Sequence, residues 1–164
     1  MSSERQERIG VLAKQEYARR RMPAFLADLS KALNISFSEA DVLSWEMSDN
    51  IKQGLRENIG KALKQKSRQH HLLLSREQSR LFHEELVSRL NGFGLDNVVL
   101  SLGRFDDMPL VQMNAVIVGS NFDKLWLLGD QVSICSADLS RGLMADWYPD
   151  DAEQSFEIAS WGIS

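Results

Sequence analysis

Apolar residues in the first part of the chain recur every three or four positions, which is the spacing of one helix face. Over residues 4–33 the apolar positions are Ile9, Leu12, Ala13, Tyr17, Phe25, Leu26, Leu29, Ala32 and Leu33. We predict that they form one face of a helix. Pro23 is expected to break or kink this helix near Met22, because proline lacks the amide hydrogen that a helix interior requires.

Three further helices are predicted up to residue 91. Ser38 can cap one of them, with Val42, Leu43 and Trp45 facing inward, and Ser48 or Asp49 can cap the next. The apolar ridge of that third helix is Ile51, Leu55, Ile59, Ala62 and Leu63. Its opposite, solvent-facing side carries Lys52, Arg56, Lys61, Lys64 and Lys66. Ser75 and Gln78 form a capping box for the last helix, which Asn91-Gly92 ends. Its inward positions are Leu81, Phe82, Leu86, Val87 and Leu90.

After Gly94 the period changes to two, or to short apolar runs, which indicates strands. The predicted strands are Asn97–Leu102, Met113–Val118, Lys124–Leu128, Val132–Cys135, Leu143–Tyr148 and Gln154–Trp161. The turn residues between the third and fourth runs predict a hairpin that joins them.

This order of elements predicts an α+β fold in which N-terminal helices pack against a C-terminal antiparallel sheet of four to six strands. The loops are too short for the crossovers that a parallel sheet needs. We expect residues 1–164 to form a single domain, with a helical part over about 4–91 and a β-rich part over about 95–164. The connection near residues 91–95 is very short, and each half alone would have a thin core.

Charge is distributed unevenly along the 164 residues. The net charge is −4, with +4 in residues 1–95 and −8 in residues 96–164. This asymmetry indicates either a basic partner for the acidic half or an acidic partner for the basic half. It is equally consistent with helices that simply carry more Lys and Arg than turns do. The single cysteine, the charged N-terminus and the absence of long apolar runs favour a cytoplasmic location.

Catalytic motifs are missing from the sequence. No Gly-rich phosphate loop, dinucleotide fingerprint or nucleophile elbow is present. His70, His71 and His83 lack the spacing of zinc ligands, and Cys135 lies in an apolar strand where a core role is expected. We therefore expect a protein that is not an enzyme, with no cofactor and no metal ion.

Aromatic and acidic residues cluster in the last third of the chain, most densely from Trp147 to Glu153. Aromatic side chains bury a large area at low entropic cost, and carboxylates steer the approach of a basic protein. We name as candidate partner contacts Asp106, Asp107, Asp146, Trp147, Tyr148, Asp150, Asp151 and Glu153.

The stretch from Leu127 to Leu139, LLGDQVSICSADL, followed by Asp146-Trp147-Tyr148, resembles the C-terminal part of bacterial immunity proteins of the contact-dependent or polymorphic toxin type. The resemblance covers about 40 residues. It implies a small inhibitor that neutralises a toxin domain, often a basic nuclease, by tight stoichiometric binding. It assigns no individual contact residue.

Two other functions are compatible with the sequence. Clustered carboxylates could hold a divalent metal ion in an enzyme. Alternatively, the basic stretches Arg19–Arg21 and Lys61–Arg68 could contact the phosphates of a nucleic acid. The acidic overall charge counts against the second of these.

Overall fold

A computed structural model describes residues 3–163. The first helix, α1 (Ser3–Leu33), is continuous through Pro23, so the predicted break is wrong. Pro23 is exposed, and the Arg19 carbonyl, which loses its helical partner at this position, belongs to an exposed residue that water can reach. An exposed proline can therefore stay within the helix although it removes one hydrogen bond.

The apolar residues of α1 do not share one face. Phe25, Leu26 and Leu29 are buried in the core, whereas Ile9, Leu12 and Tyr17 are exposed by 51%, 56% and 59%. A helix turns by 3.6 residues, so Ile9 lies almost opposite Leu29 around the axis. Ala18 is the first buried residue of α1, and the part of the helix before it is exposed apart from half-buried Gln15.

The predicted second and third helices are in fact a short turn followed by one helix. Ser38 caps a single 3-10 turn, Glu39–Asp41, and Ser44 caps α2 (Trp45–Leu63). Ile51, Leu55 and Ala62 are buried as predicted. The solvent-facing assignment of Lys52 is wrong, because this residue is only 7% exposed.

The capping box of Ser75 and Gln78 is confirmed and precedes α3 (Ser79–Asn91). Phe82, Leu86 and Leu90 are buried, but Val87 is 53% exposed, contrary to its predicted inward position.

Residues 3–163 form one antiparallel sheet of six strands: β1 (His71–Leu74), β2 (Asn97–Leu102), β3 (Val111–Asn114), β4 (Val132–Cys135), β5 (Gly142–Trp147) and β6 (Phe156–Trp161). Their order across the sheet is β1-β6-β5-β4-β2-β3. The α+β class with helices packed against an antiparallel sheet is thus confirmed. Neighbouring residues of β6 alternate between the two faces of the sheet, as their period of two predicted.

Two predicted strands are helical. The run Lys124–Leu128 lies in α5 (Phe122–Gly129), and the second part of Met113–Val118 lies in α4 (Ala115–Ser120). The predicted hairpin is therefore wrong, and β4 pairs instead with β2 and β5. Asn114 caps α4 by accepting a hydrogen bond from the Val116 amide at 2.9 Å, which stops β3.

Helices cover both faces of the sheet. Leu29 of α1, Phe82 of α3 and Leu125 of α5 join the main core on one face. On the other face, Ile51 and Leu55 of α2 pack against Val99 and Cys135. Ala62 of the same helix packs against Met144 and Ala159. In residues 3–163, α2 is the one helix that contributes to the cores on this second face. Part of the face is therefore not covered by a helix and carries polar side chains.

Candidate partner-binding surface

The acidic aromatic residues lie in the hairpin that joins β5 to β6. We call residues 146–153 the acidic hairpin. Its turn is held by the Tyr148 amide, which donates to the Ser155 carbonyl at 2.8 Å. The Asp151 carboxylate accepts hydrogen bonds from the amides of Glu153 and Gln154 at 3.0 and 2.9 Å. These bonds within the turn fix its shape before any partner binds.

A neighbouring element braces the same hairpin. The Arg76 amide donates to the Ala152 carbonyl at 3.1 Å, and the Arg76 guanidinium donates to the Pro149 carbonyl. Trp147 and Tyr148 are each 41% exposed. The hairpin therefore presents two aromatic side chains on a backbone that is hydrogen-bonded on both sides.

Most carboxylates in residues 96–163 have a basic partner, but those of the acidic hairpin do not. Asp96, Asp106, Asp107, Asp123, Asp130 and Glu157 each lie within 4.0 Å of an Arg or His nitrogen. No such pair within residues 3–163 includes Asp146, Asp150, Asp151 or Glu153. Of these four, Asp150, Asp151 and Glu153 are exposed. The carboxylates of residues 96–163 that have no basic neighbour are therefore those of the hairpin and Asp138.

Asp146 differs from the other hairpin carboxylates because it is half-buried. It accepts hydrogen bonds from the Gln131 side chain at 2.9 Å and from the Trp147 amide at 2.8 Å. Burial raises the pKa of Asp146 despite these two bonds. This carboxylate supports the base of the hairpin rather than its exposed tip.

His71, Glu157 and Tyr148 form a hydrogen-bonded polar row next to the hairpin, on the face of the sheet that α2 covers only in part. His71 Nε2 lies 2.8 Å from Glu157 Oε1, and the Tyr148 hydroxyl donates to Glu157 Oε2 at 2.8 Å. Burial and the bond to Glu157 raise the pKa of Tyr148, so this phenol stays protonated and acts as a donor. The row ties Tyr148 to β6 and β1.

No pattern in the sequence singles out His71 or Glu157 as partners. His71 begins β1, a strand that was not predicted because its short run follows a polar stretch. Glu157 faces away from Phe156 and Ile158 in β6, and that alternation is the one signal that indicated its face. The pairing of the two side chains depends on strands far apart in sequence.

Asp106 and Asp107 lie outside the acidic hairpin, in the connection between β2 and β3. Asp106 contacts Arg56 at 3.3 Å, and Asp107 contacts Arg21 at 2.6 Å. Gln131 lines the same cavity as Asp106 and also binds Asp146. The eight candidate contacts therefore fall into two groups with Gln131 between them, and the group of Asp106 and Asp107 is ion-paired.

A cleft of about 630 Å³ lies between the first half of α1 and α2, beside Asp106 and Asp107. Buried Lys52 closes its floor. Its amine donates to the carbonyls of Asp106 and Met108, both at 2.6 Å. Burial lowers the pKa of Lys52 although Asp106 opposes the shift. Lys52 thus fastens the acidic loop to α2.

The residues considered for other chemistry lie in ordinary structural roles. Cys135 is buried, and burial raises the pKa of its thiol to about 12, so it lacks thiolate character at neutral pH. His83 is exposed beside Asp123. Within residues 3–163 no three His, Cys, Asp or Glu side chains are placed to share a metal ion.

The two basic stretches differ in how their charges are compensated. Arg19 and Arg20 contact Glu16, and Arg21 contacts Asp107. Lys61, Lys64 and Lys66 are exposed, and none of them pairs with a carboxylate of residues 3–163. Because Arg19 and Arg20 share one carboxylate, the first stretch keeps one uncompensated positive charge, whereas all three lysines of the second stretch lack a carboxylate partner within residues 3–163.

Comparison with protein-family models, with curated proteins and with solved structures finds no match for this chain. None of the helices in residues 3–163 combines the length and the hydrophobicity that a membrane crossing requires.

Proposed function

We propose that this protein binds a basic protein partner through the acidic hairpin and inhibits it by stoichiometric binding. The observation that carries the proposal is the concentration of unpaired carboxylates on the hairpin, next to two exposed aromatic side chains. The other acidic residues of the C-terminal half, apart from Asp138, each lie within 4.0 Å of an Arg or His nitrogen. Asp138 is held in its own turn by Ser136 and Ser140.

The hairpin has the properties expected of an anchor. Trp and Tyr are enriched among the residues that dominate binding energy, and each can bury a large area with few rotatable bonds. Asp150, Asp151 and Glu153 surround them with charge that accelerates the encounter with a basic surface. Since the turn is already hydrogen-bonded, little conformational entropy is lost when a partner binds.

The resemblance to immunity proteins suggests the class of partner, a toxin domain with a basic surface such as a nuclease. Inhibition by stoichiometric binding requires no catalytic group, so the hairpin needs only to bind. The paired state of Asp106 and Asp107 makes them weaker candidates for contact, because a partner would first have to displace Arg56 and Arg21.

The test is recovery of a partner from lysate of the native organism with the purified chain as bait, followed by mass spectrometry. The variant reverses the exposed hairpin charges: Asp150→Lys, Asp151→Lys and Glu153→Lys. We expect one basic protein at about one-to-one stoichiometry with the wild type and its loss with the variant. Affinity should also fall steeply as salt is raised.

A matched control changes the same amount of charge elsewhere. Glu4, Glu7 and Asp28 are exposed on α1 and have no basic partner within residues 3–163, so reversing them tests for an effect of net charge alone. The proposal is contradicted if this control weakens binding as much as the hairpin variant does. It is also contradicted if the hairpin variant binds like the wild type.

A further inference from the structure

The two edges of the sheet differ in how they are protected. At the β3 edge, the Leu43 amide donates to the Leu110 carbonyl at 2.9 Å, and Val42 pairs with Val111. At the other edge, no strand of residues 3–163 pairs with the outer side of β1. An open edge presents unpaired backbone groups that can template a further strand.

The register identifies which groups of β1 point outward. The Ser160 amide donates to the His70 carbonyl at 2.8 Å, so His70 bonds across to β6. Leu72 and Leu74 share that orientation because backbone bonding alternates along an antiparallel strand. Leu73 therefore directs its amide and carbonyl away from β6, and neither has a protein partner within residues 3–163.

This edge lacks the usual protection against pairing. Natural edge strands carry lysine, proline or a bulge that discourages association. Here the strand is His-Leu-Leu-Leu, and Leu73 is 40% exposed. The amide of His71 is already bonded to the Ser67 carbonyl at 3.0 Å, which leaves Leu73 as the residue best able to bond outward.

Opposite charges flank the two ends of β1. Before it lies the basic segment, residues 61–68, with Lys61, Lys64, Lys66 and Arg68. At its other end lies the acidic hairpin, because Leu74 pairs with Phe156 and Arg76 bonds to Ala152. An occupant that is acidic at one end and basic at the other would complement these charges.

We propose that a second copy of this chain occupies the edge, with β1 pairing antiparallel to β1 across a twofold axis at Leu73. In that arrangement the Leu73 amide of each copy donates to the Leu73 carbonyl of the other. Antiparallel pairing also places the basic segment of each copy beside the acidic hairpin of the other. The surface is thus self-complementary in backbone bonding and in charge, as a twofold interface requires.

The pairing joins two six-stranded sheets into one continuous sheet through a small contact. Four residues per strand bury less area than a stable interface of standard size, so the dimer is expected to be weak and concentration-dependent. It also uses carboxylates of the acidic hairpin. A basic partner bound at the hairpin and the second copy therefore compete.

The first experiment measures association of the purified full chain by analytical ultracentrifugation from about 1 μM to about 1 mM, the range of weak interfaces. The paired variants are Leu73→Ala, which keeps the amide hydrogen, and Leu73→Pro, which removes it. Proline is tolerated at an outward-facing edge position, and circular dichroism checks that each variant is folded.

We expect Leu73→Pro to weaken dimerisation about tenfold or more relative to Leu73→Ala, since both central bonds are lost. A wild type that stays monomeric at the highest concentration overturns the proposal, as does equal dimerisation of the two variants.

A charge exchange provides a second test that does not depend on proline. One variant makes the basic segment acidic with Lys64→Glu, Lys66→Glu and Arg68→Glu, and the other carries the three hairpin reversals described above. Each variant alone should fail to dimerise because like charges meet, whereas an equimolar mixture should dimerise. Adding Leu73→Pro to both chains should abolish the mixed dimer. If neither variant loses dimerisation, or if the mixture associates equally with proline present, the proposal is wrong.

These measurements use the chain alone, so they are independent of the proposed toxin-binding function. A protein that dimerises as expected but recovers no basic partner would support the dimer and contradict the proposed function. A protein that stays monomeric but recovers a basic partner through the hairpin would contradict the dimer and support the proposed function.

Discussion

Lys52 offers a quantitative test of how the acidic loop is attached to α2. Lys52→Met keeps a side chain of similar length but removes the amine that binds the carbonyls of Asp106 and Met108 at 2.6 Å. The bond to Met108 is buried, and no other donor from residues 3–163 reaches that carbonyl. An acceptor left buried without a donor costs about 1–3 kcal/mol.

The opposing contribution is the relief of desolvation. A buried amine loses hydration, which is the main reason its pKa is lowered, and methionine removes that cost. Breaking a buried charged contact by changing one partner is nevertheless destabilising in general. We expect Lys52→Met to lower the free energy of unfolding by about 2 kcal/mol, which for a chain of this size lowers Tm by roughly 4–8 °C.

Urea unfolding followed by tryptophan fluorescence measures this change directly. Lys61→Met is the matched control, because Lys61 lies on the same helix but is exposed, and its effect should stay within about 0.5 kcal/mol. The reasoning is refuted if Lys52→Met is as stable as the wild type, which would mean that desolvation cancels both hydrogen bonds.

The stability should also depend on pH in a predictable direction. The pKa of Lys52 in the folded protein lies below the ordinary lysine value of the unfolded chain. Between the two pKa values the unfolded chain holds a proton that the folded protein has released, so stability rises with pH across that window. Lys52→Met lacks this titration, and the advantage of the wild type should widen there.

Three further predictions concern other positions. Asp146→Asn should raise the urea midpoint at neutral pH. Because burial raises the pKa of Asp146, the ionised carboxylate destabilises the folded protein, and the stability of the wild type falls as pH rises from the unfolded pKa through the folded one. An unchanged midpoint would contradict this. Cys135 should react with a thiol reagent only as fast as the protein unfolds, given its burial and a pKa of about 12; rapid modification of the native protein would count against its core role. Gly142→Ala should lower the free energy of unfolding by about 1–3 kcal/mol, because the added methyl group would overlap the Trp161 indole, and a wild-type denaturation curve would refute the overlap.

The fold class was predictable because long periodic segments specify both element type and buried face. The helices α1, α2 and α3 and the strands β2, β5 and β6 correspond to such segments. Short apolar runs were ambiguous: Lys124–Leu128 fits a buried strand by composition, but it is helical because Phe122 and Leu125 of the same helix pack in the core. Burial of Lys52 could not be predicted, since its partners are backbone carbonyls more than fifty positions away.

The candidate site was predictable in composition but not in arrangement. The density of acidic and aromatic residues located the hairpin correctly at a strand end. Ion pairing decided which carboxylates remain uncompensated, and those pairs join distant segments such as Arg21 with Asp107 and Arg56 with Asp106. The polar row of His71 and Glu157 likewise depends on the strand order, which no local pattern specifies.

The strand order has a consequence for synthesis of the protein on the ribosome. β1 emerges early, but its neighbour in the sheet is β6, and the contact between His71 and Glu157 spans 86 positions. β1 must therefore wait, with its three leucines unpaired, until residues 156–161 have left the exit tunnel. During that interval both backbone edges of residues 71–74 are unpaired instead of one, and unpaired apolar edges of this kind are prone to aggregation.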